Sequence, residues 1–501
     1  MFDYVIVGAG TAGCVLANRL TEDPRFRVLL LEAGGSDVRP EIETPSAWPQ
    51  LWMTDVDWGY VTVEQPYLNH RRIQWPRGKV LGGCSSLNAM MYVRGHAHDY
   101  DHWAALGNAG WSYGKVLPYF MKSEHQERGK SAYHGSDGPL HVGDLVEPHP
   151  LVAALITAAL QVGIEANDDF NGARQDGVGF GQVTMQGGKR CSSATAFLRP
   201  VMDRDNLVVE TAAHATRLLF NGQRVIGVAY RQGDLAREVP AGEVILCGGA
   251  INSPQLLMLS GIGPAEHLRE HEITVVRDLP GVGRNLQDHV ALGLSYRSSH
   301  VGSIPVTSNY AEGDGFVRTR TDLGQPDMQI ILGVGSEGPG QRLEYSINSV
   351  LLRPQSRGSL SLASADPFAP PIIDPAYLSV EADIEALVDG FKLIRSIGEA
   401  AALDGYRDIE TVPGRRLQSD EAIEAFVRET AGTLFHPVGT CAMGRDAAAV
   451  VNQRLQVHGI RGLRVVDASI MPTLVGGNTN APVLMIAEKA ADMMKEDAST
   501  G

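Results

Sequence analysis

Three glycines near the start of the chain have the spacing of a phosphate-binding turn. Gly8, Gly10 and Gly13 form a Gly-x-Gly-x-x-Gly pattern directly after a short apolar run. In such a turn the first glycine permits the bend, the second lets the backbone approach a pyrophosphate, and the third lets a helix pack closely on a strand. Glu32 follows 19 residues after Gly13, where a carboxylate can accept from a ribose hydroxyl. The acid disfavours a 2′-phosphate, so the pattern predicts NAD or FAD and leaves that choice open.

The elements around the turn are those that position such a site. Residues 4–7 and 28–31 are short apolar runs typical of strands, and the residues after the glycines have helical apolar spacing. Strand, turn, helix and strand form a βαβ unit, which directs the helix N-terminus at the phosphates. A glycine-rich turn without a ligand would not need the helix and the acid in these places, so we predict dinucleotide binding.

The rest of the chain alternates between strand-rich and helical sequence. Residues 244–247 read as a strand that enters a helix over 254–259, and the chain ends with a strand at 463–466 and a helix at 482–494. Residues 40–72, rich in proline and aromatics, read as a long loop on the first domain. Nucleotide-type elements at both ends therefore predict a discontinuous first domain. Further helices are predicted at 151–162 and 380–397, and strands at 207–210, 216–220, 225–230, 328–332, 349–353 and 359–363.

Composition narrows the classes of partner. The 501 residues are 44% hydrophobic, enough for two cores, and the net charge of −15 disfavours nucleic acid and anionic membrane surfaces. We expect no secretory leader and no membrane span, because the opening enters a strand directly and no run of 18 apolar residues occurs. An odd number of cysteines without a Cys-x-x-Cys pair predicts reduced thiols and a cytoplasmic protein. These cysteines are Cys14, Cys84, Cys191, Cys247 and Cys441.

Three more segments give the chain a specific resemblance. They are residues 77–92 (RGKVLGGCSSLNAMMY), residues 249–254 running on to 260–263, and residues 435–444 with 467–472 and 477–482. With the opening turn, and in this order, they resemble the glucose–methanol–choline (GMC) oxidoreductase family, nearest to its bacterial choline-dehydrogenase-like and alcohol oxidase members. The resemblance implies FAD rather than NAD, and an enzyme that takes a hydride from an alcohol to flavin N5.

The family also implies a fold. We expect an α/β FAD-binding Rossmann-like domain built from residues 1–150, 190–292 and 440–501. We expect an α+β substrate domain with a mostly antiparallel sheet, built from residues 151–189 and 293–439.

The resemblance also implies which residues of this chain contact FAD. Leu87 stands where some family members attach FAD to a histidine, so we predict non-covalent FAD. The implied FAD-binding residues are Gly8, Gly10, Thr11, Ala12, Gly13, Glu32, Ala33, Trp58, Val80, Gly83, Cys84, Asn88, Ala89, Met90, Met91, Ala215, Phe435, Asp467, Ala468, Asn478 and Thr479.

Alcohol oxidation also needs a base for the hydroxyl proton. The resemblance implies His436 in that role, with Asn478 at the partner position, where an amide can orient the hydroxyl but cannot act as base. Without the resemblance, a histidine before proline reads as a turn histidine bonded to backbone. Leu434 and Phe435 beside the base predict an apolar substrate pocket.

The substrate prediction is a small aryl, allylic or furanic primary alcohol, with oxygen or another acceptor taking the electrons. Residues 298–305 form a segment that is shorter than the one relatives usually carry over the active site. We therefore predict that the entrance to the active site is open, or that another subunit covers it. The alternative is a choline-type enzyme, in which Glu312 would face the ammonium group. The alternative from another class is a hydroxynitrile lyase of the same fold with structural FAD.

Other constellations are interpreted as structural. His98 and His102 are spaced i, i+4, but no third ligand has a fixed spacing, so we predict no metal site. His458 reads as a turn residue. Ser253 lacks the Gly-x-Ser-x-Gly elbow of a hydrolase nucleophile. The sequence leaves the oligomeric state open.

Overall fold

A computed structural model describes residues 1–336 and 340–500, and two large sheets organise them. In the first sheet every residue of Val28–Leu31 is buried, as expected for a parallel strand covered on both faces. The long strand Leu235–Leu246 joins two parts of this sheet: its second half pairs parallel with Phe2–Val7, and its first half pairs antiparallel with Arg224–Gln232. The parallel part has the order Leu207–Glu210, Val28–Leu31, Phe2–Val7, Leu235–Leu246, Leu463–Val465, and the antiparallel part adds Arg224–Gln232 and Ala213–Asn221.

The two ends of the chain pack together on this sheet. The helix Thr11–Leu20 begins at the glycine turn, and a Cβ at Gly13 would lie 2.0 Å from the carbonyl oxygen of Gly8, so only glycine allows this close approach. Arg19 of this helix donates to Glu488 of the terminal helix Asn480–Thr500 at 2.7 Å. The discontinuous first domain is therefore held by contacts between its first and last helices.

The second sheet is antiparallel throughout. Its order is Arg407–Val412, Val290–Gly302, Gln341–Leu351, Met328–Ser336, Gly313–Val317 and Gly177–Phe180, with Gly432–Thr433 paired to Val290–Gly302. The helix Glu381–Glu399 packs on this sheet through Ile384, Leu387, Phe391 and Ile394. The two sheets confirm the predicted fold class. The strand Val290–Gly302 starts before the boundary that we place at residue 293, and the residue boundaries of the domains stay a prediction.

Most predicted elements are present, and the loop prediction is wrong in part. Residues 40–72 contain the helix Pro40–Glu43 and the 3-10 helix Pro45–Leu51. Each begins with a proline, at a first-turn position that needs no N–H donor. The other helices are Ala97–Ala105, Tyr113–Ser123, Pro150–Gln161, Gly249–Leu259, Ala265–Glu270 and Asp420–Thr430. Short paired strands are Tyr60–Val61 with Gln74–Trp75, Glu124–Gln126 with Leu140–Val142, Met185–Gln186 with Lys189–Arg190, Ile262–Gly263 with Arg277–Asp278, and Ser359–Ser361 with Ile372–Asp374. The remaining short helical segments are Pro66–Leu68, Gly83–Ser86, Ala194–Leu198, Arg199–Val201, Ala401–Leu403 and Ala468–Ile470.

Candidate functional site

A cavity of about 600 Å³ is lined by residues of both sheets and collects most of the predicted site. Its volume lies within the range of small-molecule and cofactor pockets. The predicted site residues that line it are Gly8, Gly10, Thr11, Ala12, Glu32, Ala33, Trp58, Gly83, Cys84, Asn88, Ala89, Met90, Met91, Ala215, Leu434, Phe435, His436, Asp467, Ala468, Asn478 and Thr479.

One end of the cavity is formed by the glycine turn and the start of the first helix. Gly10 precedes the first turn of the helix Thr11–Leu20, whose leading N–H groups have no partner within the helix. Gly10 and Gly83 meet so closely that a Cβ at Gly83 would lie 2.7 Å from the Cα of Gly10. A Cβ at Gly10, by contrast, would find no protein atom nearer than 3.9 Å, so the space beside it is cavity. Backbone, free N–H groups and a helix N-terminus thus face the same space.

Glu32 lines the cavity close to this end. It is buried, and its carboxylate accepts from the N–H groups of Ala9 and Gly34, each at 2.8 Å. These bonds use one lone pair on each oxygen and leave the others for a ligand in the cavity. Burial raises the pKa of Glu32 to about 7, and hydroxyl donors from a bound ribose would stabilise the charged form.

His436 lines the opposite end and is held between two partners. It is 9% exposed, its Nε2 lies 3.4 Å from Nδ2 of Asn478, and its Nδ1 lies 2.9 Å from Nδ1 of His289. The Nδ1–Nδ1 contact needs one proton between the two rings, because two protonated or two bare nitrogens would repel each other. Burial, with His289 and Arg77 nearby, holds the pKa of His436 well below its usual value. A neutral imidazole therefore faces the cavity.

Backbone pairing explains why these two histidines meet. The segment 432–438 runs antiparallel to 287–291, with Thr433 opposite Val290 and Val438 opposite Gln287. The N–H of His436 donates to Asp288 at 2.7 Å, and Asp288 also accepts from the hydroxyls of Thr433 and Tyr377. Phe435 has a left-handed φ of 64°, a conformation that non-glycine residues adopt at a cost. This residue directly precedes His436, whose own N–H is held by Asp288.

Aromatic and aliphatic side chains surround the end near His436. The ring of Trp52 lies 5.0 Å from that of Phe435 and 5.2 Å from that of Trp48. The sequence did not identify these tryptophans or His289, because they stand in segments without a recognisable pattern. The remaining lining at this end comes from Ala291, Tyr310, Ala311, Ile331, Gly333, Ser346, Asn348 and Thr433.

Residues just beyond the short segment 298–305 also contribute to the cavity wall. Tyr310 and Ala311 line the cavity, and the indole of Trp48 donates to the carbonyl of Asn309 at 3.0 Å. Asn309 and the 3-10 helix Pro45–Leu51 thus meet within one chain. An open entrance, or a cover from another subunit, stays a prediction.

Three predicted residues do not line the cavity. Glu312 is wrong as an ammonium ligand, since it is 1% exposed and its carboxylate accepts from Ser308 at 2.5 Å and from the N–H of His149 at 2.7 Å. Val80 lies instead in a small apolar cluster with Leu51 and Leu87. Gly13 packs against Gly8, behind the turn, for the steric reason given above.

Family models match two parts of the chain, residues 2–291 and 354–487, and both are described as GMC oxidoreductase. The chain belongs to the GMC oxidoreductase family. It is 46% identical to the alcohol dehydrogenase [acceptor] of Pseudomonas putida, over 100% of this chain and 98% of that one. It is 45% identical to the mitochondrial choline dehydrogenase of Homo sapiens, over 99% and 90%. The crystal structure of pyridoxine 4-oxidase from Mesorbium loti superposes with a TM-score of 0.94 at 36% identity, covering 99% of each chain.

This GMC oxidoreductase is an FAD-dependent enzyme that acts on CH–OH groups. The cavity fits the cofactor by its own chemistry, because the glycine turn, the helix N-terminus and Glu32 lie at one end and a ring-lined space lies at the other. The described residues contain no helix long and apolar enough to cross a membrane. Within the same described ranges, no group of three or more His, Cys, Asp or Glu side chains could hold a metal ion. The rings of His98 and His102 stack with their centroids 6.2 Å apart.

Because we predict that FAD is bound non-covalently, denaturing the protein should release it. Leu87 lines the cavity with a hydrocarbon side chain that cannot form a bond to the cofactor. Acid precipitation of the purified enzyme should leave the yellow colour in the supernatant. A yellow pellet would show that another residue is covalently attached to FAD.

Changing Glu32→Ala should weaken FAD binding by about 10- to 100-fold, because a charge-assisted bond to ribose contributes roughly 1.5–3 kcal/mol. The measurement is FAD released on dilution, followed by absorbance. Glu41→Ala, at an exposed carboxylate outside the cavity, is the matched control. Equal FAD retention by the two variants would contradict the ribose contact.

Proposed function

We propose that this GMC oxidoreductase oxidises a small, uncharged primary alcohol, benzylic, allylic or furanic, to the aldehyde, with His436 as the base. The observation that carries the proposal is an apolar wall beside a polar pair. Trp48, Trp52 and Phe435 stand at the end of the cavity where His436 and Asn478 present the polar atoms. A flat substrate can place its ring against the wall and its CH₂OH group at the pair.

His436 suits the role of base because of its protonation state. Its lowered pKa keeps the ring neutral at pH 7, and with the shared proton on its own Nδ1, its Nε2 has a lone pair that can accept from Asn478 or from a substrate hydroxyl. This nitrogen would take the hydroxyl proton, while Asn478 holds the substrate oxygen. Bound FAD supplies the hydride acceptor of the reaction. The imidazolium so formed lies near Asp288, whose carboxylate accepts from the backbone N–H of His436.

No carboxylate beside the base lines the cavity in the described part of the chain, which favours an uncharged substrate over choline. Among the described residues, the carboxylates that line the cavity are Glu32, at the ribose end, and Asp467, which accepts from Ser253 and from the N–H of Gly249. Glu312 is turned away. The similarity to choline dehydrogenase keeps choline as the second candidate, because aromatic rings alone can hold a quaternary ammonium.

A substrate comparison tests the proposal. We expect kcat/KM for benzyl alcohol to exceed that for choline and glucose, since the wall offers apolar contacts and few hydrogen-bonding groups. The assay uses purified holoenzyme with dissolved oxygen and, separately, a dye as acceptor, so that the choice of acceptor does not decide the ranking. If choline is faster by more than about tenfold, or roughly 1.4 kcal/mol in transition-state binding, the aromatic residues act as a cation cage and the proposal is wrong.

A further inference from the structure

Behind Asn478, away from the cavity, lies a buried polar pair that the reaction described above does not use. We propose that Asp314 and Gln329 form a relay that fixes the direction of the Asn478 amide, with its NH₂ group toward His436. They are positioning residues, and the proposal rests on the proposed roles of His436 and Asn478.

The relay is a continuous chain of contacts. Nε2 of Gln329 donates to Oδ1 of Asp314 at 2.9 Å and to Oδ1 of Asn478 at 3.4 Å. Asp314 and Gln329 are fully buried on the adjacent antiparallel strands Gly313–Val317 and Met328–Ser336, and neither lines the cavity. Because Asp314 pairs with Ile331, it lies diagonally across the ladder from Gln329.

The chemistry of the donors gives this chain one direction. Burial raises the pKa of Asp314 to about 7. In its ionised form the carboxylate only accepts, so the NH₂ group of Gln329 faces it, and the second hydrogen of that group is available to Oδ1 of Asn478. A reversed Gln329 would turn its own oxygen toward two acceptors. In the described part of the chain, Oε1 of Gln329 and Oδ2 of Asp314 have no hydrogen-bond partner. A buried amide oxygen without a hydrogen-bond partner is unfavourable. The fold nevertheless keeps the Gln329 amide in this orientation, because it is the one in which both N–H donors are used.

The direction matters at the other end of the relay. With its oxygen occupied, Asn478 turns Nδ2 toward Nε2 of His436 at 3.4 Å. With its NH₂ group in this position, Asn478 disfavours protonation of His436 at Nε2. The same group can donate an N–H to a substrate oxygen. A turned amide would instead accept from a protonated His436 and raise its pKa. The other groups that face His436 are His289, Arg77 and Asp288, and none of them belongs to the relay.

Gln329→Leu removes the relay with little change in size. Anaerobic flavin reduction should slow about tenfold, with benzyl alcohol as the substrate, or choline if choline is faster. This loss of rate is smaller than the loss caused by removing a preorganised donor itself. The acid limb of its pH profile should move to higher pH, which a purely structural loss would not cause. Asp314→Leu should act similarly, and Asp314→Asn, which keeps an oxygen for Gln329, should restore most of the rate. Gln182→Leu, at a buried glutamine outside the cavity, controls for damage to folding and FAD content.

A double-mutant cycle with Asn478→Ala separates the relay from the site it serves. If the relay acts through Asn478, adding Gln329→Leu to Asn478→Ala should change the rate by less than about twofold. Additive losses, or a Gln329→Leu variant with the wild-type rate and pH profile, would overturn the relay alone. Should Asn478→Ala itself reduce the flavin at the wild-type rate, the relay and the proposed role of Asn478 would both be wrong.

Discussion

Replacing His436 with alanine is expected to slow anaerobic flavin reduction by about 10²- to 10⁴-fold, the usual contribution of a positioned base, while FAD stays bound. The ring lines the cavity beside Asn478, and its lowered pKa leaves it unprotonated at neutral pH. Its removal should therefore affect proton abstraction from the alcohol. The measurement is the rate at which flavin absorbance is lost after rapid mixing with substrate.

His458→Ala is the matched control for this variant. His458 lies outside the cavity, and its Nε2 lies 3.1 Å from the carbonyl of Gly444, so its loss should leave the reduction rate close to wild type. A His436→Ala enzyme that reduces its flavin within a few-fold of wild type would mean that another group takes the proton.

Changing Gly10→Val should yield a folded protein that lacks FAD. Gly10 has a φ of −72° and a ψ of −165°, which any residue adopts, and a Cβ would meet no protein atom nearer than 3.9 Å. The valine methyl groups would instead occupy the space predicted for the pyrophosphate. Overpacking of this kind costs roughly 1–3 kcal/mol or more, which corresponds to a loss of affinity of about 5- to 150-fold or more.

The readouts are the ratio of flavin to protein absorbance after purification, and circular dichroism for the fold. Gly35→Val is the control, because a Cβ there has no neighbour within 4 Å and the residue lies outside the cavity. A yellow Gly10→Val enzyme with the wild-type flavin content would place the pyrophosphate elsewhere.

Local patterns predicted the part of the site that local geometry builds. The turn from Gly8 to Gly13 and the strand Val28–Leu31 are short-range features, and the structure has both where the sequence indicated them. The resemblance then located His436 and Asn478, 42 residues apart, at one end of the cavity. It did so by position in a family pattern, since no spacing rule brings these two residues together.

The residues that the sequence did not identify depend on long-range pairing. His289 meets His436 across 147 positions because residues 287–291 and 432–438 pair as antiparallel chain. Trp48 reaches the cavity through a bond to Asn309 that spans 261 positions. The sequence also does not show in which direction a side chain points. Glu312 was predicted as an ammonium ligand, but its carboxylate accepts from the hydroxyl of Ser308 and from the backbone N–H of His149 instead.

One anaerobic experiment tests the central claim, that the enzyme oxidises a small uncharged alcohol in the cavity end bounded by Trp48, Phe435 and His436. Holoenzyme is mixed with benzyl alcohol in the absence of oxygen, and flavin absorbance and benzaldehyde are measured together. The account predicts loss of the oxidised flavin band and one benzaldehyde per flavin. It would be contradicted if the band persisted with benzyl alcohol and bleached with choline, or if the band persisted with every alcohol while the enzyme cleaved mandelonitrile.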